Sequence, residues 1–206
     1  MVNLNDSKVN SFNREDLEKI WEYVKTHYSK DKYSLKTIEE NWINPKRPNP
    51  NFTGIVAEKV FFEDIGVDEF LINRPMESDI GDGIAYPNFA NEIVFDIKGA
   101  FWDNTYPFNF FRSNFNAMVM LADIYDAREK GIDAFVFGII NSEEMKCYYT
   151  GWIDRESLVR NGEERNIGDF YSYVIKHSLL EPLASLCSNG YEPITKELLD
   201  KRKKAS

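Results

Sequence analysis

The stretch EIVFDIKG at residues 92–99 decides the fold, because its β-branched and aromatic residues, bounded by Asn91 and Gly99, predict a strand. Asp96 and Lys98 are two residues apart, so both side chains point to the same face of that strand. A charge buried there without a partner would cost a large free energy. An ordinary ion pair explains an isolated Asp-x-Lys tripeptide, so its meaning depends on the residues around it.

Two carboxylates upstream change the interpretation of this pair. Asp82 lies in a GDG turn, 14 residues before Asp96, and a hairpin would place the two aspartates side by side. Glu58 lies in the segment GIVAE of a predicted helix, where Gly54 and Ala57 allow close packing on the sheet. Singly, these residues are typical of a turn aspartate and a solvated helix glutamate. Together, a helix, a turn and a strand that each supply a carboxylate predict one cluster.

Hydrophobic periodicity and turn residues predict the remaining elements. Helices are expected at 14–28 after an Asn13 cap, around 35–42, from a Thr53 cap to about Gly66, at 113–129, and at 155–160 after an Asp154 cap. Strands are expected at 69–73, 84–86, 92–98, 134–140 and 145–153, the last two forming a hairpin across NSEE. The residues after 160 are expected to be mostly helical. This order predicts an α/β or mixed α+β fold, with a central mixed β-sheet flanked by helices.

Composition divides the chain into three expected parts. Residues 1–50 predict an N-terminal helical appendage and a linker, because the prolines of NPKRPNP cannot continue a helix. Residues 51–195 are the expected core, and residues 196–206 an expected flexible basic tail.

No apolar stretch is long enough to span a membrane and the N-terminus lacks an apolar signal core, which favours a cytoplasmic location. The two cysteines have no metal-type spacing, so neither a disulfide framework nor a zinc site is expected.

Three short segments together resemble the PD-(D/E)XK nuclease superfamily. They are GIVAE at 54–58, GDGI at 81–84 and VFDIKG at 94–99, followed by a predicted helix and the strand AFVFGII. The resemblance covers roughly residues 51–153, and Gly81 stands where the family has its leading proline. It implies a restriction-endonuclease-like fold, with the site at the open end of a hairpin.

The resemblance also implies a catalytic set of Glu58, Asp82, Asp96 and Lys98. Asp82 and Asp96 would be the primary ligands of Mg²⁺, for which Mn²⁺ would substitute, because hard divalent cations prefer oxygen ligands. Glu58 would be an additional ligand, and the resemblance implies the backbone carbonyl of Ile97 as another. Lys98 would orient the attacking water or stabilise developing negative charge on a phosphodiester.

The net charge of −9 first argues against a nucleic-acid partner. Residues 51–105 carry −8 of it, however, and that segment holds the predicted cation pocket. DNA is therefore the expected partner, bound modestly and with help from the metal. The residues expected to contact it are Arg74, Trp102, Arg112 and Asn114, the last three in or beside an unusually aromatic loop.

Several alternatives stay open at this point. The favoured function is a metal-dependent endonuclease of the restriction, phage or repair type, and an exonuclease or an enzyme acting on RNA uses the same chemistry. A catalytically silent domain of the same fold that binds protein or nucleic acid is the alternative from another class. A homodimer would suit duplex cleavage, which needs two active sites. His177 is a candidate general base but is more typical of a packed histidine.

Overall fold

The structure, a computed structural model, describes residues 8–28, 38, 49–75, 81–102, 116–167 and 170–205. The helices are α1 (Arg14–His27), α2 (Pro50–Phe61), α3 (Val67–Asn73), α4 (Leu121–Lys130), α5 (Arg155–Asn161), α6 (Leu183–Leu186) and α7 (Lys196–Ala205). The strands are β1 (Lys8–Ser11), β2 (Gly83–Ala85), β3 (Ile93–Trp102), β4 (Asn116–Met120), β5 (Ala134–Asn141), β6 (Lys146–Asp154), β7 (Glu163–Ile167), β8 (Phe170–Lys176) and β9 (Tyr191–Pro193).

The central sheet has six strands in the order β1-β6-β5-β3-β2-β9. β3 and β5 are parallel and the other neighbours are antiparallel, so the sheet is mixed. A smaller antiparallel sheet has the order β4-β8-β7. The predicted mixed α/β fold, with a mixed sheet flanked by helices, is confirmed.

Alternate residues of β3 face two different apolar clusters. Phe95 and Ile97 belong to the cluster that includes α1 and α2, whereas Val94 belongs to the cluster around α4. Helices therefore cover both faces of this strand. The strand itself is predicted correctly but extends four residues beyond the expected end at Lys98.

Helix α2 packs unusually close to β3. A Cβ atom added to Gly99 would lie 2.9 Å from the Ala57 Cβ and 3.1 Å from the Thr53 carbonyl oxygen. The same test at Gly54 meets only Glu58, at 3.9 Å, so Gly99 rather than Gly54 permits the approach. The predicted Thr53 cap is also wrong, because the Asn49 side chain accepts from the first turn and the helix begins at Pro50.

Other local signals are confirmed by the structure. Asn13 and Asp16 form a capping box at the start of α1. Asp154 caps α5 by accepting from the Ser157 amide at 2.8 Å. The hairpin of β5 and β6 lies where NSEE predicts it.

Three further expectations are wrong. Residues 69–73 lie in helix α3 rather than in a strand, with Asp68 and Glu69 in its first turn. The expected helix at 113–129 begins only at Leu121, because residues 116–120 alternate between exposed and buried and pair with β8. The region after 160 contains β7, β8 and β9 instead of being mostly helical.

Both ends of the described chain pack on the central fold. β1 pairs with β6, and α1 shares an apolar cluster with α2. The expected flexible tail contains the helix α7, whose Leu199 is buried. The expected helix around 35–42 lies outside the described residues except for Ile38, which is buried.

Among the described helices, none is long and apolar enough to cross a membrane.

Candidate functional site

The predicted cluster lies where one edge of β3 loses its neighbour. β2 pairs only with Ile93–Phe95, whereas β3 continues to Trp102 along β5 on its other side. From Asp96 onward, no strand among the described residues pairs with the edge that faces β2, and we call this part of β3 the open edge. A cleft of about 660 Å³ occupies this place, and Glu58, Arg74, Asp82, Asp96, Lys98 and Asp123 line it.

Asp82 is held at the open edge by the turn that precedes β2. Its amide donates to the Phe95 carbonyl at 2.9 Å, and its Oδ2 accepts from the Ile97 amide at 2.7 Å. Gly81 has φ +90°, a conformation that favours glycine, and a Cβ there would lie 2.8 Å from the Phe95 carbonyl oxygen. A Cβ at Gly83 would lie 2.4 Å from the Phe95 ring. These two glycines let the turn press Asp82 against β3.

Asp96 and Lys98 do lie on one face of β3, and a third residue joins them. The Lys98 Nζ lies 2.8 Å from the Asp96 Oδ2 and 2.7 Å from the Asp123 Oδ2. Asp123 is in the first turn of α4. Sequence reasoning does not single it out, because an acidic residue in the first turn of a helix is common for reasons of helix stability alone.

Glu58 points into the same cleft but is paired with Arg74. The Arg74 Nε lies 2.6 Å from Glu58 Oε2 and its Nη2 lies 2.8 Å from Oε1, which is a bidentate ion pair. The two side chains are only 9% and 12% exposed, so water screens the pair weakly. Arg74 also donates to the Tyr28 hydroxyl at 3.2 Å. The arginine that the sequence assigns to DNA is therefore held by a predicted metal ligand.

The crowded carboxyls perturb one another. Burial raises the pKa of Asp82 well above its ordinary 3.8, and the negative charges of Glu58 and Asp96 raise it further. Burial would also raise the pKa of Asp96, but Lys98 and a hydrogen bond with Asp82 outweigh it and lower that pKa. Burial disfavours the charged form of Lys98, yet Asp96 and Asp123 keep its pKa above the usual 10.5. Of these two aspartates, Asp82 therefore takes up a proton more readily.

The formal charge of the cleft lining is negative, as a site for a divalent cation requires. Its described lining has four carboxyls and two cationic side chains, a formal excess of two negative charges. In this arrangement no group of three or more His, Cys, Asp and Glu side chains among the described residues is placed to hold a metal. Arg74 instead forms an ion pair with Glu58, and Lys98 forms ion pairs with Asp96 and Asp123. The adjacent Asp82 and Asp96 oxygens nevertheless fit the preference of Mg²⁺ for a few carboxylates plus water.

The backbone of Ile97 lies at the open edge of β3. Its amide points to the open edge, where it donates to Asp82. A residue's N–H and C=O point to the same edge of a strand, so the Ile97 carbonyl faces the cleft as well.

The remaining predicted residues lie in different places. Trp102 is 7% exposed and packs edge-on against Tyr148, with ring centroids 6.4 Å apart. Arg112 and Asn114 lie outside the described residues. His177 is buried, and its Nδ1 lies 2.8 Å from the Thr150 hydroxyl, which agrees with a packed histidine.

Comparisons of the chain with family models, with curated proteins and with solved structures give no match. Function is therefore inferred from the chemistry of the cleft.

Proposed function

We propose that the protein is a divalent-metal-dependent nuclease of restriction-endonuclease-like type that hydrolyses DNA phosphodiester bonds, acting as an endonuclease. The observation that carries the proposal is the contact between the Asp82 and Asp96 carboxyls at the open edge of β3. Two carboxyls pressed together in a half-buried place destabilise the fold unless a proton or a cation lies between them. A metal site explains why this chain places them there.

In this proposal Asp82 and Asp96 hold Mg²⁺, with the Ile97 carbonyl and Glu58 as further oxygen ligands. The ion, when bound, would lower the pKa of a water and neutralise charge on the phosphate. Lys98 stays a cation on the same face as Asp96, where its ammonium can orient the attacking water or stabilise the charge that develops on the phosphate. Asp123 accepts a hydrogen bond from the Lys98 ammonium and so positions it.

Arg74 gains a second role from this arrangement. If Glu58 turns toward the metal, Arg74 loses its ion-pair partner while its guanidinium still faces the cleft. A freed guanidinium matches the geometry of a phosphate oxygen pair. Arg74 would then contact the DNA backbone only when the metal is present.

A cleavage assay on supercoiled plasmid, linear duplex, single-stranded DNA and RNA tests the proposal. We expect Mg²⁺- or Mn²⁺-dependent nicking of the plasmid by the wild type, no activity from D96A, and activity lower by at least about 10²-fold from K98A. D133N is the matched control, because the Asp133 carboxylate also accepts from a β3 amide, that of Val94 at 3.1 Å, but lies outside the cleft. Wild-type activity in D96A or K98A would overturn the assignment of these residues to the catalytic site. Degradation of linear DNA from its ends, without nicking of the plasmid, would show an exonuclease instead of an endonuclease.

A catalytically silent binding domain is the second candidate. The observation that favours it is that Arg74 and Lys98 already neutralise Glu58, Asp96 and Asp123. Such ion pairs can hold the cleft together without any metal. Failure of the wild type to bind Mn²⁺ in a carboxylate-dependent way would favour this candidate over the nuclease.

A further inference from the structure

A second groove lies on the far side of helix α4 from the cleft. It has a volume of about 610 Å³ and is formed by α4, α5 and β8. Three arginines and two tyrosines are among its lining residues, together with one acidic side chain: Arg128, Arg155, Arg160, Tyr125, Tyr173 and Glu156. We call this surface the arginine groove. In a chain with a net charge of −9, a groove with this balance is unusual.

The arginines of the groove differ in what they already bind. Arg155 donates to the carbonyl oxygens of Ala127 and Ile132, at 3.3 and 2.7 Å, and so ties α5 to the end of α4. Arg128 and Arg160 are exposed and form no ion pair with any described residue. Other arginines elsewhere on the described chain, such as Arg165 beside Glu163, do have carboxylate partners. The groove therefore presents two cations that are available to an anionic ligand.

Aromatic surface accompanies these cations. Tyr125 is 62% exposed and lies one turn before Arg128 on α4. Tyr173 lines the groove from β8. Tyr173 is partly buried against the neighbouring apolar cluster, so Tyr125 is the exposed ring of the groove. Arginines beside an exposed aromatic ring suit a single nucleic-acid strand, whose phosphates bind cations while its bases stack. An acidic peptide would satisfy the arginines but would leave the ring without a flat partner.

Helix α4 connects the groove to the cleft. Asp123 on this helix contacts Lys98 in the cleft, whereas Tyr125 and Arg128 line the groove. The two places are thus separated by about the diameter of one helix, on the order of 10 Å. A strand that leaves the scissile position can reach the groove within a few nucleotides.

We propose that the arginine groove binds a single strand of nucleic acid that extends from the cleft, with Arg128 and Arg160 on its phosphates and Tyr125 stacked on a base. This inference rests on the proposed nuclease function for the identity of the polymer. It goes further in assigning a surface that the metal cluster does not include.

The test is fluorescence anisotropy with a labelled oligothymidylate of about 12 nucleotides, in EDTA and over a range of salt concentrations. For R128A/R160A we expect roughly tenfold weaker binding and a salt dependence shallower by about 1.4 in log–log slope, the value for two lost phosphate contacts. The control is R14A/K25A, which removes the same charge from α1, where both cations are paired with glutamates and lie outside the groove. An equal loss of oligonucleotide affinity in the two double variants, or wild-type affinity in R128A/R160A, would overturn the proposal that the arginine groove binds the strand. Competition by heptaglutamate as strong as that by the oligonucleotide would overturn it in favour of an acidic protein partner.

A cleavage measurement separates this inference from the proposed function. We expect R128A/R160A to cleave a short dinucleotide substrate like the wild type but to show a raised KM for the long oligonucleotide. An unchanged KM for the long substrate would overturn the groove while leaving the nuclease in place. Binding that depends on Arg128 and Arg160 without any cleavage would support the groove and remove the nuclease.

Discussion

The two halves of β3 differ in what lies along the edge that faces β2. Residues 93–95 are covered by β2 and are buried, with Phe95 against the rings of Phe61 and Phe62. From Asp96 onward the same edge is open, and charged side chains from α2, β3 and α4 meet there. One strand therefore combines a well-packed apolar half with a half whose charges strain one another.

The two halves of β3 contribute to different properties of the protein, the covered half to stability and the open half to the proposed chemistry. Packing in the covered half stabilises the fold, whereas the Asp82–Asp96 contact in the open half costs stability without a ligand. Substitutions in the two halves should accordingly change different measurements. The expected effects below run from the largest to the smallest.

Truncation of the covered half should be the most destabilising change. F95A removes a fully buried ring and should lower the free energy of unfolding by about 3–5 kcal/mol. Urea denaturation measures this value. F170A is the matched control, because Phe170 is 54% exposed and should change stability by no more than about 0.5 kcal/mol. An F95A variant as stable as F170A would show that β3 does not anchor the core.

Removal of Arg74 should leave Glu58 buried without its partner. R74M should therefore lower the stability of the metal-free protein by about 3–5 kcal/mol, the range for one broken partner of a buried pair. Mn²⁺ should restore part of this loss, because Glu58 would be free to bind it. Thermal denaturation with and without Mn²⁺ measures both effects. Equal stabilisation of R74M and wild type by Mn²⁺ would remove Glu58 from the proposed ligand set.

Removal of Lys98 should slow cleavage, and its cost in activation free energy should be similar to the changes in unfolding free energy given above. K98M should lower the cleavage rate about 10²–10³-fold, as for other groups that stabilise charge in a transition state. K19M is the matched control, because Lys19 also contacts two carboxylates, those of Glu15 on α1 and Asp68 on α3, and lies outside the cleft. A similar loss of activity in K19M would mean that K98M acts only through general electrostatics.

Neutralising Asp82 should stabilise the metal-free protein while abolishing its function. The folded-state pKa of Asp82 is raised, so its contribution to stability is present below 3.8 and is lost as pH rises through the folded-state pKa. D82N should therefore be about 0.5–2 kcal/mol more stable than wild type at neutral pH, with the difference vanishing on acidification. Urea denaturation at several pH values measures this sign. A destabilised D82N at neutral pH would contradict the strained carboxyl pair.

Sequence reasoning predicts those elements whose signals are local. The capping box of Asn13 and Asp16, the Asp154 cap and the apolar runs of β3 and β5 need no tertiary information. The hairpin that brings Asp82 to Asp96 also follows, because a GDG turn precedes a strong strand. The turn and β3 together position three of the four predicted catalytic side chains, those of Asp82, Asp96 and Lys98.

The failures occur where tertiary contacts override local preference. All five residues of β7 are exposed, so no hydrophobic period marks it, and it exists through its pairing with β8. Residues 69–73 have strand-like composition but form a helix that buries Phe70 and Leu71. The Glu58–Arg74 pair is likewise invisible in sequence, because it depends on how α2 and the end of α3 approach each other.

Calorimetric titration with Mn²⁺ tests most directly whether the open edge of β3 is a divalent-cation site. We expect the wild type and D133N to bind Mn²⁺, and D82N and D96N to lose this binding. Because the pKa of Asp82 is raised, protons compete with the metal for this carboxylate. Affinity should rise with pH for the same reason. Binding of equal strength in D82N and D96N, or no binding in the wild type, would contradict the metal site and with it the proposed nuclease.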